Sequence, residues 1–349
     1  MKIKIITIHN IPNFGSVFQT YALVQFLKKI GYDDVEVVDY NPAYFKPRTL
    51  KAKLAILLNL GAYIRRNKKF STFIRKNIPL TKLSFSTIAD LEQVQFDADI
   101  FIVGGDQLWN VYHSCGSDDA YKATFFRGKK ISYGTSMGQE RFPINDLKDL
   151  ASKIKDFSAV SVREMSSVRL LESVGIKAKS CVDPVYLLPA QDYEKFISKV
   201  NEPPYLLVYL VTPSKLLENA IEFLSKKYGL KVILCSGFSK KCTCDKFLKD
   251  LGPDEILSYI RNAEIVLSSS FHATSFSLIF EKQFFTILPD IHTNERIVNI
   301  LNVRGLSDRI ISDSTNLASE LLKKIDYSKI NNYSQKIEDS ISYLEDNIK

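Results

Sequence analysis

Residues 263–288 read AEIVLSSSFHATSFSLIFEKQFFTIL, from Ala263 to Leu288. Ile265 to Leu267 make an apolar run suited to a strand buried on both faces, Ser268 to Ser270 a small polar turn, and a helical pattern opens at Phe271. Phe276, Ile279 and Phe280 recur at helical spacing, and Phe284, Phe285, Ile287 and Leu288 supply a second short strand. The unit reads βαβ. His272 stands at the mouth of its helix, where backbone N–H groups and the positive end of the dipole favour an anion by ~0.3–1 kcal/mol per charge. Ser269, Ser270, Thr274 and Ser275 are the hydroxyl residues around that position. Serine and threonine are also ordinary helix caps, and a histidine near a helix start also serves as a hydrogen-bonded structural residue. The functional reading therefore draws on the rest of the chain.

Working outward, the second half repeats the same pattern. Tyr205–Val211 and Lys231–Cys235 read as strands, and Pro213–Gly229 and Pro253–Asn262 as helices. Asn294–Leu301, Ser314–Ile325 and Ile337–Ile348 read as further helices. The first half opens on the strand KIKIITI and continues as HNIPNFGSVFQTYALVQFLKKIGY. There Asn13, Phe14 and Gly15 form a turn, Ser16 is the expected N-cap, and Val17, Tyr21, Val24, Phe26 and Leu27 give an apolar helical face. The strand Val35–Tyr40 completes a βαβ unit, and the first crossover turn of such a sheet is where ligands bind. That places Asn13, Gly15, Ser16 and Gln19 in a crevice. No GxGxxG is present, so no dinucleotide is indicated.

Strand Ile100–Val103 ends in Gly104 and Gly105, which permit close backbone approach to a ligand. Asp106, Gln107, Trp109 and Asn110 follow, an acid, two amides and the chain's only tryptophan on one short segment. The composition suits a sugar, with an aromatic face for the ring and polar groups for its hydroxyls; it equally suits a tight turn with a half-buried tryptophan. Lys130–Tyr133 is a further strand whose exit, GTSMG, includes Ser136. A helix over about Asn145–Phe157 leads to the strand Ala159–Glu164, and Arg163 at its end can pair with a carboxylate or phosphate. A surface salt bridge is the alternative for that side chain, and such bridges contribute little.

Composition sets outer limits. The chain has 349 residues, 45% of them hydrophobic, enough for about two domains with buried cores. No signal peptide and no run of membrane-spanning length is evident, so a cytoplasmic location is expected. The five cysteines do not suggest a disulfide framework, and Cys235, Cys242 and Cys244 lack a nearby fourth ligand, so no metal is expected. Charge is uneven. Between Asp39 and Asp90 there is no acidic residue, and eleven cations lie from Lys46 to Lys82; against the formal net charge of +8, this leaves the remaining residues at −3. Within that stretch Leu54 to Ile64, LAILLNLGAYI, is an apolar run bracketed by cations. It fits either a helix lying at an interface, with residues 46–82 in peripheral contact with an anionic membrane surface or an anionic glycan, or a pair of ordinary helices with solvated basic faces. No recognition motif accompanies it, so nucleic acid is not an expected partner.

The series NFGSVFQTYAL (13–23), GGDQLWN (104–110), ISYGTSMG (131–138), SVRE (161–164), DPVYLL (183–188) and SSSFHATSFSLIF (268–280) resembles the polysaccharide pyruvyl transferase family over nearly the whole chain. The resemblance implies two Rossmann-like, doubly wound α/β domains facing across a cleft, similar to the GT-B glycosyltransferases. It also implies transfer of a pyruvyl group from phosphoenolpyruvate to a glycan, usually as a cyclic ketal with release of phosphate. On this reading residues 1–185 form an acceptor-binding domain with a basic helical insertion at 45–92, 186–330 a donor-binding domain, and 331–349 a C-terminal helix. His272 matches the family's catalytic histidine and Arg163 an arginine of its first domain; on this reading both are catalytic, with Arg163 the cation that binds the donor. Ser269, Ser270, Thr274 and Ser275 face the donor. Asn13, Gly15, Ser16, Gln19, Gly104, Gly105, Asp106, Gln107, Trp109, Asn110 and Ser136 face a glycan or lipid-linked oligosaccharide acceptor. Phosphoenolpyruvate is a substrate, so no cofactor is expected. The sequence departs from the family at Ser270, where members often carry Arg. The alternative is a GT-B-type nucleotide-sugar glycosyltransferase; a glycan-binding protein that keeps the scaffold without turnover is a third reading.

Overall fold

Thirteen short strands are the skeleton of the described residues; the central ones are apolar and buried on both faces, and the crossovers that join most of them go with parallel pairing. In the computed structural model, residues 1–210, 212–235, 237–288, 295–312, 323–331 and 333–349 are described. The first half carries β1 (Lys2–Ile6), α1 (Phe14–Lys29), β2 (Asp34–Tyr40), α2 (Leu50–Leu58), α3 (Leu60–Asn77), β3 (Leu80–Phe85), α4 (Ile88–Glu92) and β4 (Ile100–Gly104). It continues with β5 (Lys129–Tyr133), α5 (Ile144–Ile154), β6 (Ser161–Val162), α6 (Met165–Glu172) and β7 (Lys179–Ser180). The second half carries α7 (Gln191–Glu194), β8 (Tyr205–Tyr209), α8 (Lys215–Tyr228), β9 (Lys231–Cys235), β10 (Lys246–Leu248) and α9 (Pro253–Asn262). After these come β11 (Ile265–Ser268), α10 (Phe271–Ile279), β12 (Gln283–Ile287), α11 (Glu295–Val303), β13 (Ile310–Ile311) and α12 (Ser334–Ile348). The helix expected over Ser314–Ile325 lies mostly outside the described residues, as does Asn294 at the start of α11 and Val211 at the end of β8.

The chain divides into two compact units, 1–47 with 71–188 and 333–349, and 48–70 with 189–332. In the first, the sheet order is β3-β2-β1-β4-β5 and every pair is parallel. β6 pairs with β7, and isolated bridges Ile131↔Ala159 and Thr135↔Val162 attach this small sheet beyond β5. In the second, the order is β10-β9-β8-β11-β12-β13, again parallel throughout. Both orders reverse direction beside the first strand, between β1 and β4 and between β8 and β11. Such a switch point opens a crevice at the carboxyl ends of the strands, which is where α/β sheets hold ligands.

Each unit has its own apolar core. In the first, Phe101, Trp109, Tyr121, Leu147, Leu150 and Val162 are buried together; in the second, Leu206, Val208, Leu224, Leu234, Leu267 and Phe285. The C-terminal helix α12 belongs to the first unit: the Tyr343 hydroxyl donates to Ser132 O at 2.9 Å, and Val182 N donates to Ser340 Oγ at 3.0 Å.

Two expectations need correction here. Helix α1 starts before Ser16: Asn13 is the N-cap, its side-chain oxygen accepting from Gly15 N at 3.0 Å, and Ser16 is already in the first turn. The basic segment is not one insertion in the first unit. Residues 48–70 group with the second, where Arg65 pairs with Asp250 at 2.6 Å, Lys69 with Glu255 at 2.7 Å, and Lys249 donates to Asn59 at 3.0 Å. Of the two readings of Leu54–Ile64, the run is shared by a pair of helices, since Asn59 caps α2 and separates it from α3.

Candidate functional site

At the first switch point, the turn after β1 meets the turn after β4. Ser16 Oγ in the first turn of α1 donates to Asp106 Oδ2, and Asp106 Oδ1 accepts from Gln107 N at 2.8 Å. The Asp106 carboxylate thus sits at the N-terminal turn of a helix that has no acid of its own there, and its charge complements the dipole. Asp106 adopts φ 61°, beside Gly105 at 71°; two consecutive left-handed residues fold the carboxylate back toward α1. Asn13 is exposed and Asp106 and Gln107 are partly exposed, while the other acceptor candidates of this unit are buried.

The buried candidates have internal duties. A Cβ on Gly105 would lie 1.5 Å from Gln19 Oε1, and one on Gly104 would lie 2.9 Å from Tyr133 O. The two glycines clear neighbouring protein, not a ligand. Gln19 Nε2 donates to Thr7 Oγ1 at 2.9 Å and to Ser16 O at 3.0 Å, locking the start of α1 to the end of β1. Trp109 is wholly buried, its Nε1 donating to Tyr121 O at 2.9 Å and its ring edge-on to Phe157. It cannot stack on a sugar, because core side chains cover it. Asn110 Nδ2 donates to Gln107 Oε1 at 2.6 Å, and Ser136 Oγ donates to the buried carboxylate of Glu164, which also accepts from Ser167 Oγ at 3.1 Å.

Arg163 is placed differently from either expectation. Its Nη1 lies 2.6 Å from Asp183 Oδ2, with 4% and 0% of the two side chains exposed, and its Nε donates to Gly134 O at 2.8 Å. Asp183 Oδ1 meanwhile accepts from Val185 N at 3.0 Å, capping the short turn Pro184–Tyr186. The segments ISYGTSMG, SVRE and DPVYLL therefore converge on one buried ion pair. It is not a surface bridge, and its cation is already committed to a carboxylate.

At the second switch point, β11 ends in the serines. Ser268 Oγ donates to Tyr209 O at 2.8 Å and accepts from Ser270 N at 2.9 Å, tying the turn to β8; Ser269 Oγ donates to Leu210 O. Ser270 caps α10, its Oγ 3.4 Å from Ala273 N. His272 is the second residue of the helix, 6% exposed, with the Phe271 ring edge-on at 5.2 Å. No acidic residue lies in the first turn of α10. A cation does stand beside it: the guanidinium of Arg296, on α11, lies 5.2 Å above the Phe271 ring. Thr274 and Ser275 are not at the mouth. Thr274 Oγ1 pairs with Thr286 Oγ1 of β12 at 3.1 Å, and Ser275 is fully buried one turn below His272. A hollow lined by Pro204, Tyr228, Ile265, Gln283 and Phe285 opens at the other, N-terminal edge of this sheet and takes no part.

The structure thus gathers Asn13, Ser16, Asp106 and Gln107 at one switch point and Ser269, Ser270 and His272 at the other. Sequence reasoning missed several groups. Arg296 carries no local signal, being brought to Phe271 only by the packing of α11. Glu164 and Asp183 sit inside SVRE and DPVYLL, segments whose sequence signal lies in other residues. His9, buried at the end of β1, faces Thr7 O at 3.2 Å and Asp39 Oδ1 at 3.1 Å. Burial pushes the Asp39 carboxyl up, but hydrogen bonds with His9 and Asn41 outweigh this and hold it below its ordinary value. The cysteines are free thiols. Burial, then the Asp106 charge, pushes Cys115 up to about 12, so it is an inert core group.

No curated protein matches the sequence at a significant level. Among solved structures, UDP-GlcNAc 2-epimerase from Methanocaldococcus jannaschii in complex with UDP-GlcNAc and UDP is similar over 99% of this chain and 99% of its own, with a TM-score of 0.56 and 15% identity. A putative UDP-N-acetylglucosamine 2-epimerase from Listeria monocytogenes matches over 98% and 91%, with a TM-score of 0.55 and 9% identity. The S. aureus MnaA–UDP structure matches over 99% and 88%, with a TM-score of 0.53 and 12% identity. At these identities the likeness is one of fold, and it makes the architecture GT-B-like, as the sequence implied. The family model of polysaccharide pyruvyl transferase matches residues 13–291. That span runs from the N-cap of α1 through His272, taking in both switch points, and the chain belongs to the polysaccharide pyruvyl transferase family, whose members are transferases.

Proposed function

We propose that the chain moves a pyruvyl group from phosphoenolpyruvate onto hydroxyls of a sugar in a cell-surface or exopolysaccharide precursor. The products are a cyclic ketal and phosphate. The observation that carries this reading is the opposite character of the two switch points. The α10 mouth offers a helix N-terminus without acids, the imidazole of His272 and the nearby guanidinium of Arg296, which suits a donor bearing a phosphate and a carboxylate. The α1 turn offers a partly exposed carboxylate, Asp106, with the amide of Gln107 and the exposed Asn13, which suits sugar hydroxyls.

The chemistry then balances. A proton adds to the donor's methylene carbon, a sugar hydroxyl attacks the central carbon and gives up its proton, phosphate leaves, and a second hydroxyl of the same sugar closes the ketal as it loses its own proton. His272 serves as the acid or base, or as a phosphate ligand, and Arg296 takes the donor-binding part that the sequence had assigned to Arg163. A phosphoenolpyruvate donor places the work on the cytoplasmic side, where that metabolite is made. The nucleotide-sugar reading is less well supported. It calls for an acid early on α10 to hold a ribose, yet Glu281 follows the end of that helix.

The test is phosphate release from phosphoenolpyruvate with a panel of glycosides as acceptors. His272→Ala is expected to keep its thermal midpoint and lose ~10²–10⁴-fold in turnover. Undiminished turnover in that variant would remove His272 from the chemistry.

A further inference from the structure

We infer that α2 is a docking surface for anionic lipid, separate from either switch point. A helix of a globular protein turns its apolar stripe inward, but α2 does the reverse. Leu50, Leu54, Leu57 and Leu58 are 83%, 53%, 66% and 76% exposed, and no residue of the helix is buried. Their spacing of 4, 3 and 1 places all four on one face at 3.6 residues per turn. The inward side is made by the smaller or partly covered Ala52, Ala55 and Ile56. Leu60 and Ile64, at the start of α3, are 48% and 56% exposed and extend the apolar surface.

Charge selects the occupant. At 100° per residue, Lys51 and Lys53 fall on opposite flanks of the leucine face. Both are exposed, as are Lys46 and Arg48 just before the helix. By contrast Arg65 and Lys69 pair with Asp250 and Glu255 and hold the segment to its own unit. With no acid anywhere between Asp39 and Asp90, a second copy of this face would set cations against cations. An anionic bilayer satisfies both features: leucines enter the acyl boundary while flanking lysines reach the headgroups. Among the described residues no helix is long and apolar enough to cross a membrane, so the contact is interfacial. An acceptor carried on a lipid would be met there.

The experiment is co-sedimentation of the full chain with phosphatidylcholine vesicles, with and without phosphatidylglycerol, alongside analytical ultracentrifugation. Binding is expected only with phosphatidylglycerol and is expected to weaken as salt rises from about 0.05 M to about 0.5 M. The variant Leu50→Gln, Leu54→Gln, Leu57→Gln, Leu58→Gln keeps good helix formers at exposed positions. It is expected to retain the thermal midpoint and lose at least about tenfold in vesicle affinity. The pair Lys51→Gln, Lys53→Gln is expected to bind more weakly and with a shallower salt dependence. Three results would overturn the inference: no binding of the wild type at low salt, equal binding to neutral vesicles, or undiminished binding of the leucine variant. A dimer that the leucine substitutions dissolve, with no vesicle binding, would assign the face to a second copy instead. None of these outcomes touches the transferase reading.

Discussion

At Arg163 a single guanidinium holds three sequence segments together, and its loss is felt first as stability. Arg163→Ala leaves the Asp183 carboxylate buried and uncompensated, a change that costs about 3–5 kcal/mol, to be read from chemical denaturation. A variant of unchanged stability that had lost phosphoenolpyruvate binding would return Arg163 to the donor. Trp109→Ala is expected to cost about 3–5 kcal/mol as a core truncation. A selective rise in acceptor KM at unchanged stability would instead show the indole meeting sugar. Asp39 gives a pH dependence. Its carboxyl is held below the ordinary range, so its stabilising part is fully present above the unfolded value of ~3.9 and is lost as pH falls through the folded one. Asp39→Asn should flatten that acid limb of the stability curve. The residue types at these positions were legible in the sequence, but their directions were not. Trp109 turns inward because Tyr121 O, twelve residues on, accepts its N–H, a contact no local pattern announces.

Among the elements, the central strands and the helices behind them could be read directly, because runs such as Ile265–Ser268 and Leu206–Tyr209 are buried throughout. The edges could not. β3 is partly exposed along most of its length, and β10 and β13 have only three and two residues, so none shows the apolar run that marks a strand. The start of α10 was legible through its cap, whereas α1 begins three residues early because Asn13 competes successfully with Ser16. Ser270→Ala is accordingly expected to cost about 0.5–2 kcal/mol. Gly105→Ala is expected to destabilise the first unit, since its Cβ would meet Gln19 Oε1 at 1.5 Å and its φ is +71°. A thermal midpoint equal to wild type would show that Gln19 can move aside.

For the whole molecule, two units built on one strand order have equivalent switch points, and the motifs NFGSVFQTYAL, GGDQLWN and SSSFHATSFSLIF form the turns at them, while ISYGTSMG, SVRE and DPVYLL meet at the Arg163–Asp183 pair. The split of the basic segment was beyond sequence reading, because it rests on contacts such as Arg65 with Asp250, 185 residues apart. The central claim is that the second unit takes phosphoenolpyruvate at the mouth of α10. Its most direct test is thermal unfolding with phosphoenolpyruvate, and separately with UDP, GDP and CMP, for the wild type and for Arg296→Ala. A ligand that binds only the folded state at ~100 times its dissociation constant adds ~2.7 kcal/mol. The account predicts a raised midpoint with phosphoenolpyruvate alone, diminished in Arg296→Ala. A rise with a nucleotide and none with phosphoenolpyruvate would contradict it.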